Sequence, residues 1–451
     1  MKIRINLDKI SNSDERSRRA YKNLSVSFVA KIVSLSITFI IVPITLNYVG
    51  KAEYGVWLTL SSIITWFSFF DIGLGNGLRN KLAVSLAQND IKTARIYISS
   101  SYFLISLISL GMFVLFFVFA SLVSWNEILN THFLANEYLY KIVVIVFFFF
   151  CLSFSMKTIS SILESLQLYA IKDIISLATQ VIGLVAIIIL VNTTEGSLYY
   201  LSLVYGSQTA FGMFIASLIL FSGKLKNFRP SINFINIKQS IPLINLGVWF
   251  FLNQILYLIT TQISLFIVVH LFGPEDVTVF NLARNYMSIS TMLFIMILTP
   301  FLSAFTEAFT KRDYEWIKST IHKIMLAFVG ASIIIVIMLI GYRIFFNIWV
   351  GGKVMPGILL MIMFGVFGVL QMYSSVYSLF LNGIGKIRLM FYTLLVSAIL
   401  FIPMVFLFYN SNFGLSSLVL PGIVTGFFSS YIYKKQFDLV IQKDAKGLWN
   451  K

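Results

Sequence analysis

Twelve apolar runs of bilayer length dominate this chain and leave it few ways to fold. They lie near residues 24–47, 55–78, 97–124, 139–164, 173–191, 198–221, 240–271, 278–309, 319–341, 356–382, 388–409 and 413–433. A hydrocarbon core takes about 20 helical residues to cross, and inside it every backbone polar group must find a partner in its own segment or in a closed barrel. Runs this long, without strict alternation, predict helices rather than strands. Only 12% of the 451 residues are charged, and the mean hydropathy is +0.88, whereas soluble domains carry about 25% charged residues. The expected class is an all-α integral membrane protein with twelve transmembrane helices.

The first 23 residues are polar and basic, so the chain is not expected to open on a cleaved signal peptide. An even number of crossings puts both ends on one side. Of the 34 Lys and Arg residues, 27 fall on or near the side of the termini and 4 on or near the other, while Lys31, Lys157 and Arg284 lie deeper within crossings. The excess of Lys and Arg marks the cytoplasmic side, so both termini are expected there. The net charge of +16 is then mostly a topology signal. A nucleic-acid partner is not expected, because no contiguous soluble basic surface is present.

The chain also repeats. A shift of 223 residues lays YVGKAEYGVW, from Tyr48, over LFGPEDVTVF, from Leu271. Gly50 meets Gly273, Glu53 meets Asp276, Val56 meets Val279 and Trp57 meets Phe280. Without a gap, Asp90 falls on Asp313 and Arg95 on Lys318. The expected layout is a tail (1–23), a six-helix lobe (24–221), a basic linker (222–239), a second, parallel six-helix lobe (240–433) and a tail (434–451). Parallel repeats about an axis along the membrane normal are a transporter design, with the substrate site between lobes.

Several crossings carry polar residues on one stripe at helical spacing. The first has Ser27, Lys31, Ser34, Thr38 and Thr45; the second has Ser61, Thr65 and Ser68, with Asp71 beside them. The fourth has Ser153, Lys157, Ser160 and Glu164; the seventh has Asn245, Trp249, Asn253, Thr260 and Ser264; the eighth has Asn281, Arg284, Asn285 and Ser288. A single Ser or Thr in such a place is usually glue between helices. Five stripes together predict the wall of a watery cavity.

Charges inside crossings are costly to leave facing lipid. Lys31 and Asp71 each sit about seven residues, or ~10 Å, from the cytoplasmic end of their helices and are expected to pair. Such a pair either locks helices together or leaves Asp71 to bind a coupling proton or ion, H+ or Na+. Glu164 and Glu307 are the further acidic candidates for pairing or coupling. Lys157 is placed either in the cavity or snorkelling to the interface. Arg284 shares its stripe with two amides and has no acidic neighbour in sequence, so it suits a phosphate or carboxylate held by its planar fork. The alternative for Arg284 is an interfacial position or a pair with the Glu275–Asp276 loop.

Catalysis finds no footing. There is no P-loop sequence, and Gly73-x-Gly75-x-Gly77 lacks the strand–helix setting of a dinucleotide site. In a membrane helix Gly73 and Gly77 allow a close neighbour, and Gly75 adds backbone freedom. The three histidines are scattered and Cys151 is the single cysteine, so neither a metal cluster nor a disulfide is expected. The external loops are too short for a soluble catalytic domain, and the chain is read as a non-enzyme without a cofactor.

YVGKAEYGVW followed by FFDIGLGNGLRNKL resembles the O-antigen and capsular polysaccharide flippases of the multidrug/oligosaccharidyl-lipid/polysaccharide exporter superfamily. Tyr54-Gly55-x-Trp57, then Asp71-x-Gly73-x-Gly75, carry the likeness, although the eighth crossing has no counterpart of the Asp-Gly-Gly pattern. The resemblance implies a V-shaped, two-lobed transporter in the bacterial inner membrane. It would move undecaprenyl-diphosphate-linked oligosaccharide by alternating access, in company with a polysaccharide polymerase and chain-length proteins. It also implies a cationic central cavity, for which Arg284, Lys31 and Lys157 are the matching positions, with Asn281, Asn285 and Asn253 as polar neighbours. Two other readings stay open at this point: a cation-coupled multidrug antiporter of the same superfamily, and a non-transporting scaffold of an envelope-assembly complex.

Overall fold

The computed structural model describes residues 15–67, 74–88, 90–166, 168–238, 256, 263–298, 301–386, 388–409 and 413–450. All regular structure among them is helical. In order, the elements are α1 (Glu15–Phe67), α2 (Leu74–Ala87), α3 (Ile91–Ala120), α4 (Trp125–Ile128), α5 (Asn136–Met156), α6 (Thr158–Ser165), α7 (Tyr169–Thr193) and α8 (Leu198–Ser222). They continue as α9 (Ile263–Phe272), α10 (Pro274–Leu298), α11 (Phe301–Thr310), α12 (Tyr314–Val350), α13 (Ile358–Gly383), α14 (Arg388–Tyr409) and α15 (Leu420–Gln442). Nine spans among the described residues are long and apolar enough to cross a membrane. The expected seventh crossing lies mostly outside those residues. The expected eighth, α10, is diluted by Asn281, Arg284, Asn285 and two acids in its first turn.

A loop was expected between the first two crossings, but the chain turns on one residue. Gly50 has φ 81° and ψ 170° inside α1, a backbone region that only glycine enters without a steric penalty. The offset of 223 residues reappears in this geometry. Gly273, the counterpart of Gly50, has φ 95° and turns α9 into α10. Asp90 caps α3 by accepting the Thr93 N–H at 2.9 Å, and Asp313 caps α12 by accepting the Trp316 N–H at 3.0 Å. The two aspartates also donate their own N–H groups to carbonyls five residues back, Ser85 at 3.0 Å and Ala308 at 2.9 Å. Hydrogen bonds from the Thr93 side chain and N–H hold the Asp90 carboxyl below the usual carboxylate range.

Contacts divide the chain into two compact units. The first holds the described residues within 1–49, 67–125 and 134–251; the second holds those within 50–66, 126–133 and 252–451. In the first, α8 packs on α5 and α7, and α3 packs on α2 and α5. Lipid tails are as apolar as leucine, so close packing and cross-helix hydrogen bonds hold such helices together, each bond worth about 0.6 kcal/mol on average. Phe116 and Phe147 stack at 3.7 Å between ring centroids, and the Ser109 hydroxyl on α3 donates to the Cys151 carbonyl on α5 at 2.6 Å. In the second unit α13 packs on α15, α10 and α12. There the Ser290 and Tyr286 hydroxyls of α10 donate to the Ala331 and Met338 carbonyls of α12, at 3.0 and 3.1 Å.

Residues 50–66 of α1 belong to the second unit because they pack on the start of α10. Lys51 Nζ lies 3.0 Å from Glu275 Oε2, and the Thr278 hydroxyl donates to the Lys51 carbonyl at 2.8 Å. Gly55 is buried against the Pro274 carbonyl; a Cβ there would lie 1.7 Å from that oxygen. Under the 223-residue shift Lys51 corresponds to Pro274 and Gly55 to Thr278. Position 55 therefore meets 274 while 278 meets 51, the reciprocal pattern of a two-fold contact.

Candidate functional site

The second unit contains a cavity of about 260 Å³. Its longest wall is one face of α10, where Arg284, Ser288 and Thr291 follow at i, i+4 and i+7. Asn285 lines the same wall, and α9 contributes Ser264. Facing them, α13 presents Phe364, Phe367, Gly368 and Gln371 at the same helical spacing, while Phe401 of α14 and Gly422 of α15 close the sides. Phe364 meets Phe280 edge to face at 5.0 Å between centroids. Gly368 makes room for the Thr291 hydroxyl, since a Cβ there would sit 3.1 Å from it. Among the described lining residues Arg284 is the one charged side chain.

Its guanidinium is held in place from its own helix and from α9. Nη2 donates to Asn281 Oδ1 at 2.9 Å and Nη1 to Ser264 Oγ at 3.5 Å. Asn281 is buried and lies behind the lining, so its role is to orient Arg284. Thr291 differs from most helical threonines here. Threonines elsewhere in these helices close on a carbonyl of the preceding turn, as Thr45, Thr59, Thr179 and Thr393 do at 2.8–3.0 Å. Thr291 is 5% exposed and its hydroxyl has no hydrogen-bond partner among the described residues.

The other candidates are dispersed. Lys31 is exposed on α1 and Lys157 is exposed at the one-residue break between α5 and α6. Both belong to the first unit, and neither is among the residues lining the cavity of the second. Glu164 on α6 is bridged by two cations, Lys172 Nζ at 2.5 Å and Arg79 Nη1 at 3.4 Å. Arg79 Nη2 also donates to the Tyr169 hydroxyl at 3.0 Å, so Glu164 ties α2, α6 and α7 together. Glu275 pairs with Lys51. Asp71, Gly73 and Asn253 lie outside the described residues, as does the expected Lys31–Asp71 pair. Gly75 and Gly77 lie in the first turn of α2, and Glu307 lies in α11.

The stripe Asn281, Arg284, Asn285 and Ser288 was legible in the sequence. Thr291 was missed, though it prolongs that stripe by one step of three. Gln371 was missed as well, and its signal is a lone amide in the apolar run ILLMIMFGVFGVLQM. The four phenylalanines gave no signal, because 44 are spread through the chain.

Residues 20–306 match the model of a family described as polysaccharide biosynthesis protein. A protein of Yersinia pseudotuberculosis described as an O-antigen export protein is 23% identical over 377 residues, covering 80% of this chain and 82% of its own length. One of Salmonella typhimurium, described as an O-antigen transporter, is 26% identical over 136 residues, 30% of each chain. A solved structure of a multidrug resistance MATE family transporter of the MOP superfamily, in an inward-facing conformation, superposes with a TM-score of 0.75 at 13% identity. It covers 94% of this chain and 99% of that one. A MOP superfamily transporter from Pyrococcus furiosus, whose binding pocket is described as of reverse polarity, superposes with a TM-score of 0.61 at 13% identity and covers 94% and 97%. At such identities these likenesses show the fold.

Proposed function

This chain belongs to the polysaccharide biosynthesis protein family, and from that premise we propose that it is a flippase for lipid-linked oligosaccharide. The substrate is an undecaprenyl-diphosphate-linked repeat unit, carried across the bacterial inner membrane by alternating access. Its sugars and diphosphate travel through a polar interior while the polyprenyl tail stays in lipid. Burying an unpaired polar group costs about 1–3 kcal/mol, so a multi-sugar head group needs such a path. The observation that supports this most is the cavity of the second unit, where an oriented Arg284 stands among amides and hydroxyls.

The same observation weighs against the cation-coupled drug antiporter. A site for cationic drugs needs carboxylates, and the described residues lining this cavity include none. A coupling proton or Na+ belongs with the acidic candidates Asp71 and Glu307. A polymerase and chain-length proteins are the natural partners of a flippase that supplies repeat units. The test is translocation of a defined lipid-linked repeat unit by the purified chain in proteoliposomes. Flipping above the protein-free rate supports the reading; dye efflux without flipping would replace it with the antiporter.

We place both termini in the cytoplasm, following the distribution of Lys and Arg. Cys151 is buried, so introduced cysteines report without background. Asn192→Cys, at the exposed end of α7, should label from outside intact cells with a membrane-impermeant maleimide. Asn233→Cys, exposed in the linker, should label only after lysis. The reverse pattern would invert the orientation.

A further inference from the structure

We propose that the cavity of the second unit is a docking subsite for one sugar ring of the head group, with Thr291 and Gln371 reading its hydroxyls. This rests on the flippase reading above. Size comes first. Pockets for drug-sized ligands measure about 300–1,000 Å³, and this one holds about 260 Å³, too little for an oligosaccharide. Arg284 and Thr291 are seven residues apart on α10, so the slot runs ~10 Å along the helix, enough for one ring beside one anionic group.

The lining then selects the chemistry. The Thr291 end offers hydroxyls and an amide, from Ser288, Thr291 and Gln371, opposite the rings of Phe364 and Phe367. A pyranose has a matching division: hydroxyls around its edge and an apolar C–H face. A diphosphate does not, since it carries several negative charges and the described lining residues supply one cation. The decisive feature is the Thr291 hydroxyl, 5% exposed and without a partner among the described residues. A buried hydroxyl that neither closes on its own helix nor bonds a neighbour destabilises the empty protein. A sugar hydroxyl in the cavity would supply the missing hydrogen bond.

This reasoning sets stability against binding at a single position. Replacing an unpaired buried hydroxyl with a methyl of the same shape is neutral or stabilising. Thr291→Val should therefore leave the thermal midpoint of the purified, empty protein unchanged or raise it. The readout is the rise in that midpoint caused by ligand, which follows mass action. Probes are glucose, galactose, rhamnose, N-acetylglucosamine and glucuronate, each at about 100 mM, with inorganic pyrophosphate as the anionic control.

At least one sugar should stabilise the wild type, Thr291→Val should weaken that sugar about tenfold, and Thr291→Ser should retain it. No sugar response in the wild type overturns the proposal, even where pyrophosphate stabilises. An equal response in wild type and Thr291→Val overturns it too, as does a Thr291→Val protein that loses midpoint while binding sugar normally. Proteoliposome flipping separates the two levels. A wild type that flips without any sugar response keeps the flippase reading and loses the subsite. A sugar response lost in Thr291→Val without flipping keeps the subsite and loses the flippase.

Discussion

Arg284→Ala should reduce export of the repeat unit by at least about 30-fold with the protein at normal abundance in the membrane. The estimate follows from the 2–5 kcal/mol typically lost when one partner of a desolvated, hydrogen-bonded charge pair is removed. The substitution also strips Asn281 of the donor it receives at 2.9 Å, and Asn281 is 5% exposed, so part of the loss could be structural. Arg284→Gln separates the causes: its amide can still donate to Asn281 Oδ1, but it carries no charge. If the guanidinium holds an anionic head group, Arg284→Gln should export about as poorly as Arg284→Ala while matching the wild type in thermal midpoint. Arg284→Lys should recover part of the rate, because it keeps the charge and loses the planar fork. Export by Arg284→Gln at the wild-type rate, at matched abundance, would end the claim that Arg284 binds substrate.

The second large effect is expected at Gly55. An added Cβ would lie 1.7 Å from the Pro274 carbonyl oxygen and 3.1 Å from Thr278 Oγ1, and the first of these is backbone. Overpacking costs about 1–3 kcal/mol where side chains can yield, and more where they cannot. Gly55→Ala should therefore force α1 and α10 apart, disturbing the Thr278–Lys51 hydrogen bond and the Lys51–Glu275 pair. Both the thermal midpoint and export should fall. The control is Gly111→Ala in α3, where a Cβ meets nothing within 4 Å; there helix propensity favours alanine by about 0.8–1 kcal/mol, so stability should hold or rise. Equal behaviour of the two variants would show that the Gly55 contact carries no weight.

How much of this was readable beforehand depended on the kind of signal. Apolar length predicted the helices, because a bilayer admits little else, and the polar stripe on α10 predicted Arg284 and Asn285. The 223-residue offset held at the level of torsion angles and caps: glycine at 50 and 273 and aspartate at 90 and 313 are residue types with one strong local preference each. What escaped were features made by the meeting of distant segments. Nothing near Thr291 in sequence says that its hydroxyl is left without a partner among the described residues. Nothing near Lys31 or Lys157 in sequence says that each is exposed. The Lys51–Glu275 pair joins residues 224 positions apart, and Glu164 is held by partners 85 positions before it and 8 after it.

The contact between residues 51–55 and 274–278 is reciprocal in position but not in chemistry. Were the molecule an exact tandem duplicate, position 275 would carry the counterpart residue Ala52 and position 278 would carry glycine. Lys51 would then lose the carboxylate it pairs with at 275, and its carbonyl would meet no hydroxyl. The two segments are unlike complements: one supplies a notch and a cation, the other a backbone carbonyl, a hydroxyl and an acid. A chimera carrying the first half twice would keep the notch and the backbone carbonyl at 274 that faces it, and would lose the Thr278 hydroxyl and the Glu275 carboxylate. Under that exchange the Lys51–Glu275 pair and the Thr278–Lys51 hydrogen bond are lost together, so segment 51–55 cannot stand in for segment 274–278.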